Sequence, residues 1–152
     1  MQNYSKEIKH FGGLAMIYET VLPVWNALRD RFQDKVKGLT DEDLKMKVGD
    51  KTLGSILHHT GEAEYIFAEW VFQKKAENMS KPAFDNIEEI VSFLEQSNEF
   101  LKEAMKELPE EKWHEGVETP KGTSTPLEAV GRLMYHAGIH SGQITALKTL
   151  NK

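Results

Sequence analysis

Apolar side chains recur at three- and four-residue steps in four long stretches of this chain, and strand-like alternation is absent. The first stretch runs through Phe11, Leu14, Tyr18, Val21, Leu22, Trp25, Leu28 and Phe32, which predicts an amphipathic helix of about six turns. Pro23 inside it predicts a kink or a late start, because proline removes one backbone hydrogen bond and crowds the preceding turn. The second helix is expected from Thr52 to about Glu77, with Leu53, Ile56, Leu57, Ala63, Ile66 and Trp70 on a broad buried stripe. The third is expected to be capped by Asp85, with Glu88 completing a capping box, and to bury Ile90, Leu94, Leu101 and Met105 before Pro109 stops it. The fourth, Thr125 to about Leu150, opens with a capping-box start: Thr125 as N-cap, Pro126 in the first turn and Glu128 three residues after the cap.

Four such segments predict an all-α fold, a four-helix bundle forming one domain over residues 1–152. The connections after the first and third helices, Lys37–Lys51 and Pro109–Ser124, are long, whereas the one between the second and third is short. That pattern suits crossover connections rather than simple up-and-down hairpins.

Composition narrows the chemistry. The chain is 39% hydrophobic and 28% charged, as a globular domain is, and no apolar run approaches the roughly 18 residues of a membrane span. No signal-like segment opens it, so the expected compartment is the cytoplasm. A net charge of -5, with no basic run, argues against nucleic acid as a partner. Cysteine is absent, which excludes disulfides, thiolate metal sites and cysteine nucleophiles.

Histidine is the remaining source of site chemistry. His136 and His140 stand four residues apart on the fourth helix, a spacing that stacks two imidazoles on one face within reach of a single ion. Leu133, Ala137, Ile144 and Leu147 lie on or beside that face, so the pair is expected to point inward. Gly138 and Gly142, each costly within a helix, suggest a packing or access demand nearby. On the second helix His58 and His59 diverge by about 100°, and Ile56, Ala63, Ile66 and Trp70 favour His59 as the inward one. His59, His136 and His140 would give three nitrogen donors and leave a coordination position open, as in a catalytic site. The spacing alone is a weak signal, since short motifs recur by chance. Ala137 stands where a zinc protease has its glutamate, and Leu133 and Ala137 stand three residues before His136 and His140 where the Glu-x-x-His pairs of a di-iron bundle would have glutamate. Glu62, one turn from His59, and Gln143, one turn from His140, are candidates to orient a ligand or accept a proton. His10 and His114 are expected to have no metal role, and Trp25, Phe67, Trp70 and Tyr135 to belong mainly to the core.

Two segments, TLGSILHHTGEAEYIFAEW and LMYHAGIHSGQITAL, resemble the ligand-bearing helices of the DinB/YfiT-like metalloenzymes, and GLTDEDLKMKVGDK resembles the link into the first of them. The most specific piece is His136-x-x-x-His140 followed by Gly142-Gln143-Ile144. Ser141 stands where the family commonly has arginine. The resemblance implies a bundle in up-down-down-up order and a divalent ion, zinc or nickel foremost and iron or manganese next, held by His59, His136 and His140. Characterised relatives include thiol-dependent S-transferases and isomerases, so the resemblance also implies a transferase that joins a low-molecular-weight thiol cosubstrate to a small-molecule electrophile, or a hydrolase. The alternative is a non-catalytic, stress-associated bundle acting as a homodimer or dimerisation module.

Overall fold

A computed structural model describes residues 16–79 and 81–151. Tyr4, Ile8, His10, Phe11, Leu14 and Ser80 lie outside them. Among the described residues the chain forms α1 (Met16–Lys37), α2 (Leu53–Trp70), α3 (Ile87–Glu107) and α4 (Pro126–Leu150). Each long connection carries a short antiparallel hairpin that the apolar pattern did not announce: β1 (Lys47–Val48) with β2 (Lys51–Thr52), and β3 (Val117–Thr119) with β4 (Gly122–Ser124). Two- and three-residue strands are too short to show an alternation, and their turns rest on Gly49 and Gly122 at positive φ.

Side-chain partners fix the helix directions. Trp25 Nε1 donates to Asn98 Oδ1 and Arg29 Nη2 to the Leu94 carbonyl, so α1 and α3 are antiparallel. His58 stacks on Phe93 and Ser97 Oγ donates to Glu64, so α2 and α3 run parallel. Lys35 Nζ reaches the Ser141 carbonyl and Gly138 lies against Leu28, which makes α1 and α4 parallel. The order is therefore up-down-down-up, an all-α four-helix bundle with crossover connections.

The helix ends correct the sequence reading in detail. The Thr125 capping box is present, with Thr125 Oγ1 accepting from Glu128 N and Glu128 Oε2 from Thr125 N. The third helix is capped by Asn86 rather than Asp85, and its first N–H is met by Asp41 Oδ1 from the distant first connection. Helix α2 stops at Trp70, short of Glu77, because Gln73 adopts a left-handed conformation (φ 59°) and the Lys74 N–H turns back to the Ala68 carbonyl. Pro23 does not delay α1: the helix runs from Met16 through it, with the ring on the exposed side.

Two apolar clusters fill the bundle, one around Trp25, Leu101, Met105 and Leu133, the other around Phe32, Leu57, Leu94 and Ile144. Trp113, expected only in a connection, is fully buried in the first cluster against Phe72 and pins the second long connection to the core. Between the clusters lies a polar layer. Arg29 forms two hydrogen bonds to the Glu64 carboxylate (2.8 and 2.9 Å), one to Gln33 Oε1 and one to the Leu94 carbonyl; Ser97 donates to Glu64 as well.

The close approach of α3 to α2 is made possible by glycines other than those singled out in the sequence. A Cβ at Gly61 would stand 2.5 Å from the Phe93 ring, and one at Gly54 1.8 Å from the Phe84 carbonyl oxygen. Gly138 would make only ordinary contact with Leu28, and nothing lies within 4 Å of a Cβ at Gly142.

Candidate metal centre

Helix α2 packs against α3 on one side and α4 on the other, and its two adjacent histidines divide between them. His58 is the buried one, correcting the expectation for His59. It stacks on Phe93 (centroids 5.0 Å apart, 13° between planes), touches Phe84, and its Nδ1 is 2.9 Å from Glu62 Oε1. Glu62 is thereby engaged four residues back, with His58, and not with His59. The apolar residues cited for His59 form a stripe broader than one interface, so they could not say which histidine it buries.

His59 is exposed and faces α4 across a groove, its ring centroid 5.4 Å from that of His136 at 84°. His136 and His140 are half-buried, with centroids 4.5 Å apart and Nε2 atoms 2.9 Å apart. The three imidazoles thus gather at the edge of the α2–α4 contact, not inside the bundle. Leu133, Ala137 and Ile144 take the inward face of α4, and Tyr135, expected in the core, is 74% exposed.

The electrostatics favour neutral rings. Burial, then the neighbouring His140, His59 and Lys121, lowers the pKa of His136 to about 4. Burial is the largest influence on His140 too and lowers its pKa, although the bond to Gln143 works the other way. Gln143 Oε1 lies 2.7 Å from His140 Nδ1. An amide oxygen only accepts, so Nδ1 carries the proton and Nε2 turns a lone pair toward His136. His136 Nε2–H then donates to it.

A nitrogen-bound ion fits these spacings. With metal–nitrogen bonds of about 2.0–2.1 Å the ion stands roughly 3.2 Å from each ring centroid, placing two centroids about 4.5 Å apart at a right angle and about 5.2 Å at the tetrahedral angle. The observed 4.5 and 5.4 Å match those values. Among the described residues, however, no three histidine or acidic side chains stand together as a metal-binding cluster.

His59 and His136 also line a cavity of about 220 Å³. Ala63, Ile66, Phe67, Trp70 and Leu133 supply its apolar wall, Lys121 and Arg132 its charge, and among the described residues none that lines it carries a carboxylate. The two cations were not anticipated, since Lys121 comes from the β3–β4 turn and only the fold brings it to α4. His114 lies in the second connection, exposed and away from the cluster.

Comparison with known proteins agrees with this architecture. The structure is similar to the crystal structure of a DinB-like protein from Bacillus cereus, with a TM-score of 0.70 and 19% identity over 88% of this chain and 91% of that one. No curated protein matches. No described helix is long and apolar enough to cross a membrane. The family model of the DinB superfamily matches residues 24–144, from α1 through both histidine-bearing helices to Ile144, and the chain belongs to that superfamily.

Proposed function

We propose that this protein is a divalent-metal-dependent enzyme that holds one ion through His59, His136 and His140 and joins a low-molecular-weight thiol to a small electrophile in the adjoining cavity. The observation that carries the reading is the pair of Nε2 atoms 2.9 Å apart beside that cavity, which His136 lines. When bound, the ion (zinc or nickel foremost, iron or manganese next) lowers the pKa of a thiol or water so that an anionic nucleophile forms near neutral pH.

The chain's own residues support such chemistry in three ways. Gln143 holds the proton of His140 on Nδ1 and keeps Nε2 free as a donor atom. Burial keeps His136 neutral, the form that binds metal, down to about pH 4. The wall of Ala63, Ile66, Phe67, Trp70 and Leu133 would shield the reacting atoms from bulk water. Because no described residue lining the cavity carries a carboxylate and Glu62 is occupied by His58, attack by water is poorly served. A thiol is already far more acidic than water, which favours S-transfer over hydrolysis: sulfur forms the new S–C bond and the leaving group departs with its electron pair.

A second reading, a non-catalytic bundle serving as a homodimer or dimerisation module, is favoured by one feature. Tyr135 and Ile139 stand one turn apart on α4 at 74% and 40% exposure, with open space beside Gly131 and Gly142. Protein stripped of metal and reloaded with zinc, nickel, manganese or iron separates the two readings in a conjugation assay against a panel of low-molecular-weight thiols and a chromogenic electrophile. Turnover that requires metal and disappears in His136→Ala supports the enzyme. Failure to take up any of the four ions, with no turnover, leaves the interaction module.

A further inference from the structure

We propose that the cavity beside the histidines selects small molecules with an anionic group on an apolar body, and that Lys121 and Arg132 are the residues that set this preference. The inference rests on reading the cavity as the substrate site, but not on an ion being bound there.

Lys45, Lys74, Lys112 and Lys148 each have a carboxylate within ion-pair distance. Lys121 and Arg132 have none among the described residues, in a chain with 24 acidic against 19 basic side chains. Both line a cavity in which no described lining residue carries a carboxylate. An anion entering that space meets both positive charges.

The position of Lys121 is built. Gly122 takes a φ of +105°, open to glycine and unfavourable for L side chains. Thr119 Oγ1 accepts from the Lys121 N–H at 3.1 Å and donates to the Gly122 carbonyl at 2.7 Å, closing the tip of the hairpin. The register from Val117 opposite Ser124 to Thr119 opposite Gly122 joins the base of the hairpin to the capped start of α4 and leaves Lys121 at its tip. Arg132 lies on α4 itself, one turn before His136, where its planar guanidinium can present two parallel N–H groups to a carboxylate or sulfonate. Trp70, Phe67 and Leu133 receive the apolar body. A volume of about 220 Å³ suits a substituted ring carrying one small anionic group.

Trp70 provides the readout, since Trp25 and Trp113 are fully buried elsewhere. Metal-stripped protein is titrated with 4-chlorobenzoate and with its neutral isostere 4-chlorobenzamide while tryptophan emission is followed, then both titrations are repeated after metal loading. In stripped protein the benzoate is expected to bind about tenfold more tightly, as two partly exposed charge pairs allow. The preference is expected to shrink in about 0.5 M salt. It should vanish in the Lys121→Gln, Arg132→Gln double variant, which still binds the amide. Equal affinities, a preference that survives the double variant, or no response to either compound would each overturn the proposal. Metal stoichiometry on the same samples separates the two readings. Benzoate preference without ion uptake sinks the metalloenzyme and spares the anion site, whereas ion uptake without preference does the reverse.

Discussion

The Arg29 layer and the histidine cluster are both polar groups planted on helices that otherwise bury leucine and phenylalanine, and they end in opposite states. In the first, the Arg29 guanidinium, the Glu64 carboxylate, Gln33 and Ser97 satisfy one another with almost no exposure to solvent. In the second, three imidazoles stand half-buried or exposed, with Gln143 as an amide partner of His140 and an open cavity alongside. A closed network has no valence left for a ligand and can only hold helices together; an open one keeps donor atoms available at a cost in stability. Helix α2 serves both, with Glu64 turned toward α1 and α3 and His59 toward α4.

The sharpest way to break this comparison is to remove one partner from the closed layer. Glu64→Ala leaves the Arg29 charge buried and uncompensated, and is expected to lower the unfolding free energy by about 3–5 kcal/mol, read as a shift of the urea midpoint. Replacing Arg29 and Glu64 together with Met and Leu should recover most of that loss, because no charge is then left unpaired. If Glu64→Ala proved as mild as a histidine substitution, the distinction between scaffold and site would collapse.

His140→Ala should behave in the opposite manner. The apo protein is expected to keep its stability within about 1 kcal/mol, since the ring is only half-buried. Metal content of protein purified without a polyhistidine tag should fall from about one ion per chain to near zero. With it should go the stabilisation by added metal, about 2.7 kcal/mol at a hundredfold excess over Kd. A variant that still binds one ion tightly would remove His140 from the ligand set.

How legible these two regions were differs for a physical reason. The helices, the Thr125 capping box and the His136–His140 pair rest on local spacing, which one sequence displays. The Arg29 layer went unread because Arg29, between Trp25 and Phe32, looks like a solvated charge until α2 and α3 bring Glu64 and Ser97 to it. His59 was placed inward because a helix flanked on both sides has two buried edges, and periodicity cannot say which edge faces which neighbour. The end of α2 was missed because Gln73 takes the left-handed turn without a glycine to mark it. Lys121 and Arg132 meet only through the fold, across a hairpin too short to leave a pattern.

A smaller effect sharpens the open side. Gln143→Ala removes the acceptor that fixes the His140 tautomer and is expected to weaken metal affinity about 10–100-fold while one ion still binds at saturation. Gln143→Glu keeps an acceptor oxygen in place and should restore most of that affinity. Equal affinity in wild type and Gln143→Ala would mean the 2.7 Å contact does no orienting.

The smallest expected effect is on acid stability, and its sign follows from the lowered histidine pKa values. The unfolded chain takes up a proton at position 136 near the ordinary value of 6.5, whereas the folded ring resists until about pH 4 because of its burial and the neighbouring His140, His59 and Lys121. Between those values the unfolded state binds more protons, so the apo protein loses stability as pH falls from 6.5 toward 4 and regains it as pH rises. Solvent screening at a half-buried group limits the contribution to about 1 kcal/mol. His136→Ala should flatten that part of the profile, leaving the carboxylate-linked loss at lower pH where it was. A wild-type profile unchanged by His136→Ala would place the acid sensitivity elsewhere and remove the energetic mark that sets the open cluster apart.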